Sequence, residues 1–188
     1  MDYINDFIEI KQLTENLWEK KKPDRIYGYQ FQQKTKWKKG LSGDEIAAFE
    51  DIMGFAFPDI LRDYYSIMNG VDKESVNIYG ESGVEYKYSK VLYSYPEDIN
   101  MINELIQFVY DENNINPQTM RGMNVSRIFP IYGHCFMLID HPEHLILMMH
   151  GKNIQYYSKS LVDMFYRELA RRGERGKNRG IGYGWIEN

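Results

Sequence analysis

Four short strand-like runs, at residues 127–132, 134–140, 145–149 and 153–157, follow one another with turn signals at Gly133, at His141-Pro142-Glu143 and at Gly151-Lys152-Asn153. Connections this short join antiparallel neighbours, because a parallel pair needs a crossover of a dozen or more residues. The region therefore predicts an antiparallel meander. Helical periodicity lies on both sides of it, and the order helices, strands, helix, strands, helix predicts an α+β fold with a central antiparallel sheet flanked by helices.

Upstream, Ser42-Gly43-Asp44-Glu45 has the spacing of a capping box, in which the serine oxygen accepts the amide of Glu45 and Glu45 reaches back to the amide of Ser42. Ile46, Phe49, Ile52 and Met53 then form an apolar face. Gly54 sits where a left-handed cap is wanted, and Pro58 can open a second helix through Leu61, Tyr64, Tyr65 and Met68, stopped by Asn69-Gly70. Tyr3, Phe7, Ile10, Leu13 and Leu17 predict an amphipathic N-terminal helix that ends near Lys20-Lys21-Lys22-Pro23, and residues 26–33 alternate as a strand or an extended arm. Ser75–Tyr79 and 85–93 read as β-structure. Pro96-Glu97-Asp98 opens a helix with Ile99, Ile102, Leu105, Ile106 and Val109 inward, and 113–124 reads as a loop. Ser158 or Ser160 caps a last helix with Leu161, Val162, Phe165 and Leu169 inward.

The chain of 188 residues is 43% hydrophobic, so a core is available without staples; a domain of this size buries roughly 70% of the surface exposed when unfolded. We expect one domain over 1–172 and a flexible, basic, Gly-rich tail over 173–188. A single cysteine, Cys135, and ten methionines fit a reducing compartment, hence a cytoplasmic location. The N-terminus lacks a basic segment followed by a clean apolar one, and no apolar run approaches the roughly 20 residues that span a bilayer, so no membrane association is expected. The charge is unevenly spread. Residues 1–40 carry nine Lys/Arg and six Asp/Glu (+3), 41–165 carry eight and eighteen (−10), and 166–188 carry six and three (+3). A body this acidic repels phosphate backbones and attracts basic proteins.

The pattern Ile46-x-x-Phe49-Glu50-x-x-Met53-Gly54-x-x-x-Pro58, followed by Tyr64 or Tyr65 and by Asn69-Gly70, resembles the N-terminal signature of the SUKH superfamily. That superfamily includes fungal regulators of cell-wall synthesis, bacterial Syd and many bacterial immunity proteins. Downstream, Arg127-Ile128-Phe129-Pro130-Ile131, Phe136-x-Leu138-x-Asp140, Leu145-Ile146-Leu147 and a helix with Ser160, Leu161 and Phe165 resemble its later strands and closing helix. The likeness covers about residues 40–170. It implies binding rather than chemistry: a non-enzymatic immunity protein that neutralises a cognate toxin, with a regulatory scaffold of cell-wall or envelope assembly as the alternative. It also implies that Ile46, Phe49, Glu50, Gly54, Pro58, Asn69, Gly70, Pro130 and Asp140 define the fold. The helix near 97–113 and its Asn-rich link are longer than the family's middle section, and the basic tail after Arg171 has no counterpart in it; these segments are where partner specificity would differ.

Residue chemistry offers few competitors. His134, His141, His144 and His150 crowd one region, but His134 opens a strand whose far end, Asp140, lies roughly 20 Å away, so no metal site is expected. Cys135 and His134 are strand neighbours that point to opposite faces, and Gly180-x-Gly182-x-Gly184 has no helix after it, so neither a thiol nucleophile nor a nucleotide cofactor is read here. The Lys-rich run 34–39 and the tail could contact nucleic acid, but the acidic body disfavours it, and Trp37 is expected to pack against the first helices. Partner contacts are sought among acids and aromatics that the fold does not require: Asp72, Glu74, Glu81, Glu85, Tyr86, Tyr88, Glu97 and Asp98.

Overall fold

Phe7, Ile10, Thr14 and Trp18 fall on one face of α1 (Ile4–Lys20) and are all buried. The computed structural model describes residues 2–20, 22–23, 28–79, 85–122 and 124–170, and the chain divides after Tyr95 into two compact units. In the first, Leu13 is 43% exposed, against its expected inward place. Thr14 takes that place because its hydroxyl is satisfied twice. It donates to the Ile10 carbonyl at 2.7 Å and accepts the indole N–H of Trp37 at 2.8 Å. A polar side chain is cheap in a core when its hydrogen bonds are made.

The expected arm contributes a short strand, β1 (Gly28–Gln30), and Phe31 after it stacks on Trp18 with ring centroids 4.3 Å apart. Trp37 opens β2 (Trp37–Lys39) and packs 5.6 Å from Trp18. Helix α2 (Gly43–Met53) begins with the full capping box of Ser42 and Glu45 and ends at Gly54 in the left-handed region, φ 74°. Ile46 and Phe49 are buried, but Ile52 is 54% exposed. At about 100° per residue, Ile52 lies roughly 60° past Phe49 and off the narrow face that α2 turns to its neighbour.

Helix α3 (Asp59–Ile67) starts one residue later than expected, with Pro58 outside it as the cap. Met68 leaves the helix, and Asn69-Gly70, expected as a helix stop, lies inside β3 (Met68–Val71), which pairs antiparallel with β2 through Trp37–Val71 and Lys39–Met68. Strands β4 (Ser75–Tyr79) and β5 (Glu85–Ser89) complete a three-stranded antiparallel sheet in the order β1-β4-β5. The run expected over 85–93 ends early, and Val91, Leu92 and Tyr93 are buried outside the strand. Both α1 and α2 pack on α3. Phe49 lies at the centre of an aromatic cluster, edge-on to Phe57 at 4.9 Å and to Tyr65 at 5.2 Å. Gly40 is a point of close approach: a Cβ there would lie 2.0 Å from the Ser66 carbonyl oxygen, so no side chain fits without moving backbone.

The second unit holds α4 (Ile99–Glu112), with Ile102 and Val109 buried and Leu105 and Ile106 packed against the core. The expected loop after it contains a short helix, α5 (Pro117–Gly122). Asn116 makes it, its side-chain oxygen accepting the amides of Gln118 and Thr119 at 2.9 Å each. The meander follows as β6 (Ile128–Tyr132), β7 (Cys135–Leu138), β8 (Ile146–His150) and β9 (Asn153–Ser158), hydrogen-bonded in sequence order. Pro130 is accommodated because β6 is an edge strand, with a register shift between Pro130 and Tyr132. Ser160, rather than Ser158, caps α6 (Leu161–Phe165), which continues as a π-helical turn over Tyr166–Ala170. Met164, rather than Val162, is buried with Leu161, Phe165 and Leu169. Val109, Ile128, Phe136, Leu138, Leu147 and Met149 join α4 to the sheet. The fold is α+β, with antiparallel sheets flanked by helices. The expected tail, 173–188, lies outside the described residues.

Candidate partner-binding surfaces

Glu50, Asn69 and Asp140, three of the residues on which the resemblance rests, are each hydrogen-bonded to backbone. Glu50, near the end of α2, accepts the amide of Phe57 at 2.5 Å and two hydrogen bonds from the Arg62 guanidinium at 2.8 Å each, tying together the two helices that Pro58 separates. Asn69 makes two bonds to Tyr95: its amide nitrogen donates to the carbonyl at 2.6 Å and its oxygen accepts the N–H at 2.8 Å. Gly70 has φ +70°, and a Cβ there would lie 2.3 Å from the Ser94 hydroxyl oxygen. Asp140 takes a bidentate contact from Arg127, accepts the Arg127 amide at 2.8 Å and donates its own amide to Ser126 Oγ at 3.1 Å. The Arg127 guanidinium holds the Asp140 carboxyl below the usual carboxylate range.

The residues expected to meet a partner are scattered. Asp72 is exposed, but its carboxylate accepts the Lys36 amide at 2.7 Å, so it extends the β2–β3 pairing. Glu74 is exposed, its carbonyl accepting from Gln32 at 2.8 Å. Tyr88 is 57% exposed on β5, an edge strand, opposite Val76 of β4. Glu81 lies outside the described residues, as do the side chains of Glu85 and Tyr86, whose backbone belongs to β5. Glu97 is exposed in the other unit. Asp98 corrects the expectation of a surface acid. It is only 4% exposed, at the N-cap position of α4, where its carbonyl accepts the Ile102 amide at 2.9 Å.

A surface that the core periodicity does not single out lies on α4. Met101 is 39% and Phe108 50% exposed, and Leu105, half-buried between them, completes a ridge at spacings of four and three residues. Glu104, Asp111 and Glu112 are exposed on the same helix, which contains no lysine or arginine. The signal was present in the sequence as apolar residues on both sides of the helical repeat, only one side of which a core needs.

Cys135, Tyr157 and the paired histidines His134 and His150 lie in the second unit. Cys135 is buried, and burial together with the Glu168 carboxylate pushes its thiol up, away from thiolate. Tyr157 is raised by burial too, and the Arg167 guanidinium lies 4.4 Å from its ring centre. The His134 and His150 rings lie tilted at 40° with centroids 3.9 Å apart, and burial, then the neighbouring imidazole, lowers the His134 pKa. Among the described residues no three His, Cys, Asp or Glu side chains gather as metal ligands, and no helix is long and apolar enough to cross a membrane. In the Lys-rich run, Trp37 is buried, and Lys36 lies 3.8 Å from Glu15 and 3.6 Å from Glu19. No protein-family model, curated protein or solved structure matches this chain.

Proposed function

We propose that this chain is a non-catalytic, cytoplasmic immunity protein of the SUKH type that binds and neutralises a cognate basic toxin, a nuclease being the toxin class that best fits its charge. The observation that carries this reading is the excess of ten acidic side chains over 41–165, set against positive ends. A nuclease grips phosphate with cations, so an acidic inhibitor gains both encounter rate and complementarity at the same surface. The hydrogen-bonded positions of Glu50, Asn69 and Asp140 support the reading in a second way. Glu50 and Asp140 are held by backbone amides and by the Arg62 and Arg127 guanidinium groups, and Asn69 by the Tyr95 backbone, so a partner is left to the exposed acids elsewhere.

The test is co-expression of the full chain with each toxin domain encoded beside its gene, scored by growth and by co-purification. Rescue with a stoichiometric complex is the expected outcome. Failure with every such domain, together with capture of several envelope-assembly proteins, would replace this reading with a regulatory scaffold.

A further inference from the structure

On the protein-binding reading above, we infer that the outer face of α4 is the docking surface for a basic partner protein, with Phe108 and Met101 as its apolar anchors. Phenylalanine and methionine are enriched at the cores of interfaces, and a handful of such anchors supplies most of the binding energy. Here they stand on one ridge with Leu105, about 10 Å long at 1.5 Å rise per residue, and Leu105 is seated against the core of its unit, so the ridge is held in place before a partner arrives.

Charge selects the occupant. Every charged residue of α4 is an acid: Glu104, Asp111, whose carboxylate also accepts from Gln107 at 2.6 Å, and Glu112. A second copy of the chain would set this acidic rim against its own like, which costs rather than gains. A protein with an apolar groove bordered by lysine or arginine satisfies both the ridge and the rim, in the helix-in-groove manner. The exposed apolar residues of α1, Ile4, Ile8 and Leu13, have a weaker bias, since α1 carries Lys11 and Lys20 beside its four acids.

The experiment places p-benzoylphenylalanine at position 108, and in parallel at position 88, of the full-length chain in its own cells. Each cross-linked protein is identified, purified and titrated against the unmodified chain and its variants. The expected result is one adduct from position 108 to a protein of positive net charge. Its Kd should weaken about tenfold or more for the Met101→Ala/Phe108→Ala double variant, and change less than about twofold for Tyr88→Ala. Phe108 is half exposed, so the double variant should keep its helical circular dichroism, and Glu104→Lys/Glu112→Lys, which leaves the apolar ridge intact, should weaken binding as well. An adduct between two copies, or a partner without positive charge, overturns the inference. An adduct from position 88 alone, with affinity unchanged by Met101→Ala/Phe108→Ala, moves docking to β5 and leaves the protein-binding reading standing. No adduct from either position overturns the surface, and coupled with failed rescue it overturns the function too.

Discussion

Thr14 and Gly70 show how much a single position can depend on a distant one. Thr14 is fully buried and supplies the acceptor for the Trp37 indole N–H. Thr14→Val keeps the shape but strands that donor, and the expected cost is about 2 kcal/mol, seen as a lower urea midpoint at unchanged slope, with Thr14→Ser recovering most of it. Apolar periodicity points Leu13 inward because it counts hydrophobic residues alone, and a satisfied threonine is invisible to that count. At Gly70 the sequence offered Asn-Gly, a local stop signal, whereas the constraint is nonlocal: φ +70° and a Ser94 hydroxyl 2.3 Å from where a Cβ would stand. Gly70→Ala should therefore destabilise by about 2 kcal/mol, of which the left-handed backbone accounts for roughly 1 kcal/mol and the collision for the rest. Ser94→Ala removes the colliding oxygen, so a double-mutant cycle should show the pair to be less damaging than the sum of its members. Additive costs would mean that the hydroxyl contact is not what excludes alanine.

At the scale of elements, legibility follows sequence distance. Helix α2 was readable end to end, because Ser42, Glu45 and Gly54 act on backbone within a few residues of themselves. The meander was readable because its turns are short and its strands are neighbours in the chain. Strand β3 was not, since its partner β2 lies some thirty residues upstream and nothing in Met68-Asn69-Gly70-Val71 announces that pairing. The α2–α3 corner lies between these cases: the resemblance singles out Glu50, but only the geometry explains it. Glu50→Ala should free the Phe57 amide and Arg62 together and cost about 2–3 kcal/mol by chemical denaturation. The meander also carries a pH signature. His134 has its pKa lowered from 6.5 by burial and by His150, so the unfolded chain takes up a proton before the folded one does. Stability is then full above about pH 6.5 and declines as the pH falls from there through the lowered folded value. His134→Gln should flatten that step in urea midpoints measured across pH 5–8. Asp140 acts in a lower window. Its carboxyl is held below 3.8 by Arg127, so the stability it lends is present above that value and is lost as the pH drops through its folded pKa, a step that Asp140→Asn should remove.

For the whole molecule, charge was legible as a sum but not as a surface. Segment sums give the acidic excess over 41–165 but do not say which acids face water: Asp98 is buried, whereas the acids of α4 stand exposed beside Met101 and Phe108. The distinction has a kinetic consequence. Long-range attraction depends on net charge and is screened over a Debye length of about 10 Å at 0.1 M salt, whereas a desolvated apolar anchor is indifferent to salt. If a basic partner docks on α4, the two contributions separate in stopped-flow measurements. The association rate should fall about tenfold or more between about 50 mM and about 500 mM salt while the dissociation rate changes little. Glu104→Lys/Glu112→Lys should slow association and flatten its salt dependence, and Met101→Ala/Phe108→Ala should leave association nearly intact while speeding dissociation. An association rate indifferent to salt would mean that the acidic body does not steer the encounter, and the case for a basic partner would fall with it.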